Sequence, residues 1–593
     1  MRQFFKFFLA SCLGTIAALV VLGILFAGIG SMMAISSGAG SGIDKDQILH
    51  VKINDMIPEK TNNVANPEFS FSPKKVLGIR DIAETIKRAG EDDRIKGMFL
   101  DVNYSSPGQA SSLVIKRAID SFKLSGKWVY AYADGYSQGG YFLASHADSV
   151  YLNPNGSIDF RGFAMFIPFV TELMDKIGLD FEIYYAGDFK SATEPFRRES
   201  MSDQNRLQMK TYINEIYDLY LSDIARSRGK TVEELRDIAD NFKIRYAEDA
   251  LEYGMADALL TRQDVYKMMN EKAGIDRDKK TPLLSLDKYF ENLKPKKNYG
   301  AKDKIAVVYA EGEINDSQEK MNGVIQGDKY AKLLRKIKND DKIKAVVLRV
   351  NSPGGSVLAS SKILHELKLI KDAGKGLVVS MGDYAASGGY YISSHADWIL
   401  AEPNTLTGSI GVYSMIPALD RMFNDKIGIH FDSVATGKYS ARFTPYFDWD
   451  EREDEFMQAT TDREYEKFLN IVAEGRGMTK EKVHEIAQGR IWSGNKAKQL
   501  GLVDEIGDLD RAIDVAAENG ELEEYRIVEY PFVKDQFTLL LEELTGEELS
   551  SAKVRKAMLK EELGEWGYYL DMLSRLKEQE GAQARLPFEF IYN

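Results

Sequence analysis

The stretch DDKIKAVVLRVNSPGGSV, Asp340 to Val357, decides the fold of this 593-residue chain. Its β-rich run AVVLRVN ends in turn residues and passes directly into Ser-Pro-Gly-Gly. An earlier stretch, DDRIKGMFLDVN at Asp92–Asn103, matches its first twelve residues at seven positions, with an offset of 248. A second pair, GGYFLASHAD (Gly139–Asp148) and GGYYISSHAD (Gly388–Asp397), matches at seven of ten with an offset of 249. Two matches at nearly one offset mark a duplicated domain, with a period far longer than a solenoid repeat.

Each copy reads as α/β. KIAVVYAEGEI (Lys304–Ile314) and GLVVSMGDY (Gly376–Tyr384) are further strands, and YAKLLRKIKND between them sets Leu333, Leu334 and Ile337 on one helical face. Strands alternating with helices predict a mostly parallel sheet. The expected organisation is an anchor at 1–45, a first repeat at 46–295, a second at 296–540 and a helical extension at 541–593. The charged segment Asn270–Lys304 is expected to join the copies, and the region from Glu521 onward has no sequence match in the first copy.

The chain is too long for one ordinary core. Its 44% hydrophobic and 28% charged residues are globular values. A net charge of −13 and the lack of any basic block argue against a nucleic-acid partner. One cysteine, Cys12, excludes intramolecular disulfides and Cys-based zinc sites, and the six histidines form no metal-binding pattern. No metal or cofactor is expected.

The amino-terminal stretch carries Arg2 and Lys6 and then no charge until Asp44. Its apolar run is longer than the roughly 7–15 residues of a signal-peptide core and suits a membrane helix of roughly 20, at about Leu9–Ile29. Positive charge before it and acid after it place the amino terminus in the cytoplasm and the body outside. A cleaved signal peptide is the alternative. LASC resembles a lipoprotein box, but the apolar run follows Cys12 instead of preceding it.

Ser387 lies between a strand-and-turn, VVSMGDYAA, and the Gly388-Gly389 pair. Taken alone, the segment reads as a helix N-cap serine with glycines for packing. The first copy has Gln138 in its place. The turn after the preceding strand, NSPGGSV, can supply half of an oxyanion hole through unobstructed N–H groups. In the first copy that turn is YSSPGQAS, with Gln109 for the second glycine. His395 follows Ser387 by eight residues, beyond hydrogen-bond reach on a helix, and recurs as His146 in the copy that lacks the serine. It reads as structural.

A buried lysine held neutral can act as the base instead. FEIYYAGDFKSATEPF (Phe181–Phe196) carries Lys190, and its counterpart FDSVATGKYSARFTPY (Phe431–Tyr446) has no lysine there under either alignment of the two. One copy has the lysine without the serine and the other the serine without the lysine, which predicts one composite site across both.

At these residues the chain resembles the signal peptide peptidase A (protease IV) family, in its long membrane-anchored bacterial form. SGGYYIS, SPGGSV and GDFKSATEPFRRESMS together carry the resemblance, which covers nearly the whole chain. It implies two tandem caseinolytic-protease/crotonase-like α/β domains, a homotetrameric bowl and a serine peptidase of the inner membrane with its body on the periplasmic side. The implied substrates are apolar peptides such as released signal peptides. Carried over, Ser387 is the nucleophile and Lys190 the general base. Ser409 in TGSIGV orients the lysine and has Phe160 as its first-copy counterpart. N–H groups near Gly355 and Gly388 would hold the oxyanion. Shifting a lysine from 10.4 to about 7.5 requires roughly 4 kcal/mol, which burial can supply only if nearby Asp188 points away. A crotonase-like acyl-CoA hydrolase and a non-catalytic membrane scaffold are the competing readings.

Overall fold

The computed structural model describes residues 43–53, 57–63, 75–103, 107–293, 300–317, 323–532 and 582–585. The expected membrane helix at Leu9–Ile29 lies outside them. No helix among the described residues is long and apolar enough to cross a membrane.

The first half of the chain forms strands β1 (Gln47–Lys52), β2 (Ile95–Asp101), β3 (Trp128–Tyr136), β4 (Ser149–Ile158), β5 (Asp180–Ala186), β6 (Ala258–Leu259) and β7 (Leu283–Ser285). The second half begins with β8 (Lys304–Glu311), β9 (Glu313–Asn315), β10 (Val324–Gln326), β11 (Ile343–Ser352), β12 (Gly354–Ser356) and β13 (Gly376–Ala386). It continues with β14 (Trp398–Ala401), β15 (Leu406–Gly408), β16 (Val412–Ala418), β17 (Ile491–Ser493), β18 (Glu505–Ile506) and β19 (Arg526–Tyr530). A last strand, β20, covers Gln583–Arg585.

Two of the three sheets are copies of each other. The first runs β6-β4-β3-β2-β1-β7, entirely parallel. The second runs β17-β15-β13-β11-β8-β19, with β14 beside β13 and β18 beside β14. Its centre, β11, is buried from Ala345 to Val350, which explains why its apolar residues are consecutive: both faces are covered. The covering helix Val357–Asp372 turns Ile363, Leu367 and Ile370 inward at helical spacing. Helix Gly327–Lys338 buries Leu334 and Ile337, as its pattern predicts, while Leu333 lies at the rim.

Three sequence expectations change here. The segment Asn270–Lys304 is more than a connector, because β7 within it extends the first sheet beside β1. Strand β19 does the same beside β8, so the region after Glu521 has a first-copy counterpart in structure although none in sequence. Short edge strands carry few residues, and their backbone pairing leaves little imprint on side-chain identity. Of the region 541–593, only 582–585 are described, and they form strand β20 instead of a helix, held by pairing with β12 and β16.

The third sheet joins the halves, in the order β10-β9-β12-β20-β16-β5. Strands β5 and β16 pair antiparallel over seven positions, from Val412↔Ala186 to Ala418↔Asp180. Buried charges also tie the repeats together. Arg349 on β11 donates to Glu59 Oε2 at 2.8 Å and Oε1 at 3.2 Å, both side chains being 1–2% exposed. The Asp383 carboxylate accepts from the N–H groups of Ala110 and Ser111 at 2.7 and 3.1 Å. It therefore caps the helix Gln109–Leu124, at the turn where the first copy has lost its second glycine.

Candidate active site

Strand β13 ends at Ala386, whose neighbour in the parallel register is Gly408 at the end of β15. The next residue on each chain, Ser387 and Ser409, therefore stand side by side. Both have left-handed backbones, with φ of 54° and 49°. Such a conformation costs a non-glycine residue on the order of 1–3 kcal/mol and persists only where surroundings hold it. Here the Ser387 N–H donates to Gly408 O at 2.8 Å and the Ser409 N–H to Arg490 O at 2.7 Å.

Ser387 occupies the N-cap position of the short helix Gly388–Ser393, but its hydroxyl makes no capping bond. That separates it from the N-cap reading of its segment. In the first copy the work falls to Ser137, whose side chain accepts from the Gly140 N–H. Gln138, at the place of Ser387, exchanges two hydrogen bonds with the backbone of Gly162. Phe160, opposite Ser409, is packed among Tyr141 and Tyr220. The first-copy positions are thus filled by packing and local hydrogen bonds.

The lysine arrives through the joining sheet. Strand β5 delivers Ala186 beside Val412, and the loop after it turns Lys190 into the space under the two serines. Its Nζ lies 2.8 Å from Ser387 Oγ, 3.2 Å from Ser409 Oγ and 3.3 Å from Ser409 O. Lys190 is 1% exposed, and desolvation lowers its pKa from 10.5 to about 7. No carboxylate contributes to that shift, and Asp188 is exposed on the outer side of the loop. The apolar burial favours the neutral amine.

Sequence reasoning missed the clamp on this loop. Gln488 and Gly489, on the second repeat, have φ of 52° and 77°. The Phe189 N–H donates to Gln488 O at 2.9 Å, and a Cβ on Gly489 would lie 2.7 Å from the Lys190 backbone. Buried Gln208 donates to Phe189 O at 3.0 Å and Ser191 Oγ at 3.1 Å, and accepts from the Ile491 N–H at 3.2 Å. The only sequence hint was the glycine in AQGRIWSG, indistinguishable there from a turn glycine.

Gly355 and Gly388 also converge. A Cβ on Gly388 would lie 3.1 Å from the Gly355 nitrogen, and one on Gly354 would lie 2.7 Å from the Gly388 nitrogen. The backbones at Gly354, Gly355 and Gly388 thus pack against one another next to Ser387, at a closeness that leaves no room for side chains on Gly354 and Gly388. His395 lies past the end of the short helix, with Nε2 3.8 Å from Glu474 Oε2, and burial lowers its pKa to about 4. It takes no part in the cluster, and His146 is similarly depressed in the first copy.

The arrangement offers a buried hydroxyl beside an amine whose pKa burial brings to about 7, with a closely packed glycine backbone next to them, a set suited to acyl transfer. Residues 121–276 and 370–523 match the model of peptidase family S49, and residues 296–407 match that of Clp protease. The chain is 38% identical over 461 residues to Protease 4 of Haemophilus influenzae, covering 75% of this chain and 73% of that one. It is 34% identical over 539 residues to Protease 4 of Salmonella typhi, covering 88% and 86%. It is 30% identical over 455 residues to the chloroplastic serine protease SPPA of Arabidopsis thaliana, covering 75% and 66%.

Proposed function

This chain belongs to peptidase family S49 and is a serine protease, and we propose that it works through a Ser387–Lys190 dyad drawn from its two repeats. The observation that carries the reading is the 2.8 Å contact between Lys190 Nζ and Ser387 Oγ in a buried, carboxylate-free setting.

The neutral Lys190 amine accepts the proton of Ser387 as Oγ attacks a peptide carbonyl. The oxyanion forms between the N–H groups of Gly355 and Gly388, where one such donor is typically worth about 3–4 kcal/mol. Lys190 then protonates the departing amine, and later removes a proton from the water that releases the acyl group. Ser409 accepts from Nζ through both hydroxyl and carbonyl and so holds the amine on the side of Ser387. A lysine with a pKa near 7 suits both directions of proton transfer.

We read the amino-terminal stretch as an inner-membrane anchor with the body on the periplasmic side, and the substrates as extended apolar peptides, signal peptides among them. The charge pattern around Leu9–Ile29 supports the anchor. Exposed apolar side chains, including Phe166 at 87% and Ile427 at 54%, support burial against further copies in a homotetramer.

The test is cleavage of a quenched fluorescent peptide by wild type, Ser387→Ala and Lys190→Ala, with labelling by a serine-directed covalent probe. Loss of cleavage in both variants and of labelling in the first is expected. Wild-type rates in both variants would discard the dyad. Acyl-CoA hydrolysis that survives Ser387→Ala would favour a crotonase-like enzyme.

A further inference from the structure

Arg490 reaches the surroundings of the proposed dyad from two directions. Through its main chain it holds a serine, because its carbonyl accepts from the Ser409 N–H at 2.7 Å. A Cβ on Gly408 would lie 2.9 Å from that carbonyl oxygen and 2.8 Å from Trp492 Cδ1, so the chain before Ser409 is pressed against this segment. Through its side chain Arg490 reaches the lysine loop of the other repeat. Its Cζ lies 4.9 Å from the centroid of the Phe189 ring and 4.3 Å from that of Trp492. Phe189 is the residue before Lys190.

Ring faces are what this guanidinium meets. Its buried Nε has no hydrogen-bond partner among the described residues. Burial holds its pKa below the usual guanidinium value, with the charge of Glu215 opposing, and the Glu215 carboxylate accepts from Ser493 Oγ at 2.6 Å. A cation within about 6 Å of a ring centroid is attracted to the face of the ring, and more so where water is excluded. One of the two rings comes from each repeat.

Burial places this contact outside the lysine. Lys190 is 1% exposed, whereas Phe189 and Arg490 are half-buried. The contact is also one-sided, as the serine is. Aligned on Ile244 and Ile491, the first copy has Lys243 and Arg245 where the second has Arg490 and Trp492, and Lys243 pairs with exposed Asp237.

We propose that Arg490 is a positioning residue for catalysis, clasping Phe189 against Trp492 so that Lys190 stays beside Ser387 and out of water. It acts through Phe189 and touches no reacting atom. A planar guanidinium lies against aromatic faces, whereas an ammonium is a hydrated point charge. The role therefore belongs to the shape of arginine and not to its charge alone. The inference rests on the dyad reading above.

The test is steady-state cleavage of the quenched fluorescent peptide as a function of pH. It uses full-length wild type, Arg490→Ala, Arg490→Lys, Phe189→Leu and the double variant of Arg490→Ala with Phe189→Leu. Arg490→Ala should lose kcat about 10- to 100-fold at neutral pH with KM little changed. Its acid limb should move up by about one pH unit as water reaches the amine. Arg490→Lys should resemble Arg490→Ala, and the double variant should lose little beyond either single one. If Arg490→Ala melts lower yet keeps its kcat and acid limb, the contact is merely structural and the inference fails. Full rescue by Arg490→Lys would assign the effect to charge, and additive losses in the double variant would show that Arg490 does not act through Phe189. Either result would overturn the inference. Should Arg490→Ala not fold, Phe189→Leu decides alone: kcat and acid limb must move together, and an unmoved limb overturns the clasp. Wild-type rates in both Ser387→Ala and Lys190→Ala would remove the dyad and this inference with it.

Discussion

Lys190 Nζ and Ser387 Oγ are 2.8 Å apart in space and 197 residues apart in sequence. Neither repeat holds both groups, so the pair exists only where the antiparallel pairing of β5 with β16 closes the halves on each other.

A rate that follows the lysine is the first consequence. The base must be neutral, and its pKa is about 7. The kcat/KM of peptide cleavage should therefore rise tenfold per pH unit below pH 7 and level off above it. A profile flat from pH 5.5 to 8.5 would be incompatible with Lys190 as the base.

Stability should respond in the opposite sense to removing that amine. The folded pKa lies below the unfolded value of 10.5, so the unfolded chain binds more protons between pH 7 and 10.5. Stability lost to Lys190 is greatest below pH 7, on the order of 5 kcal/mol, and is recovered as pH rises through that window. Lys190→Met should be inactive yet melt above wild type at pH 6, with the gap shrinking toward pH 10. Equal melting temperatures at pH 6 would show that the amine is not desolvated.

Ser409→Ala removes one of the acceptors around Nζ and leaves the Ser409 carbonyl in place. A loss of about 10- to 100-fold in kcat is expected, on the scale of 1.4–2.7 kcal/mol, with KM little changed. Steady-state kinetics on one peptide separates the two parameters; a pure KM effect would assign Ser409 to substrate binding instead.

Gly489→Ala tests the clamp on the lysine loop. The new methyl would lie 2.7 Å from Lys190 backbone atoms, on a residue whose φ of 77° already disfavours a side chain. The variant should lose kcat and shift the acid limb of the pH profile. A merely structural role would lower the melting temperature without moving that limb.

The ion pair between repeats gives a purely structural prediction. Glu59→Ala leaves the Arg349 guanidinium buried without its carboxylate, which costs about 3–5 kcal/mol. Denaturant unfolding should register that loss. A shift below 1 kcal/mol would mean that solvent reaches Arg349.

Much of this was legible from duplication. Repeated text at nearly one offset pointed to two α/β copies, one-sided retention singled out Ser387 and Lys190, and the family resemblance added Ser409. The serine's own segment misled on its own, because a hydroxyl before Gly-Gly reads equally as a cap. Only the tertiary structure shows that Ser387 leaves the cap unmade while Ser137 makes it. The edge strands β7 and β19 escaped the sequence because their pairing is carried by backbone atoms.

By itself, then, the sequence determined which residue types each copy kept, because composition and periodicity are local properties. The tertiary structure alone decided how far the amine of Lys190 is removed from water, that Asp188 faces outward, and that Gln488 and Gly489 grip the loop between them. Each of these depends on the register of strands distant in the chain. A register is set by which backbone groups meet across a sheet, and that leaves almost no trace in the side chains that a sequence records.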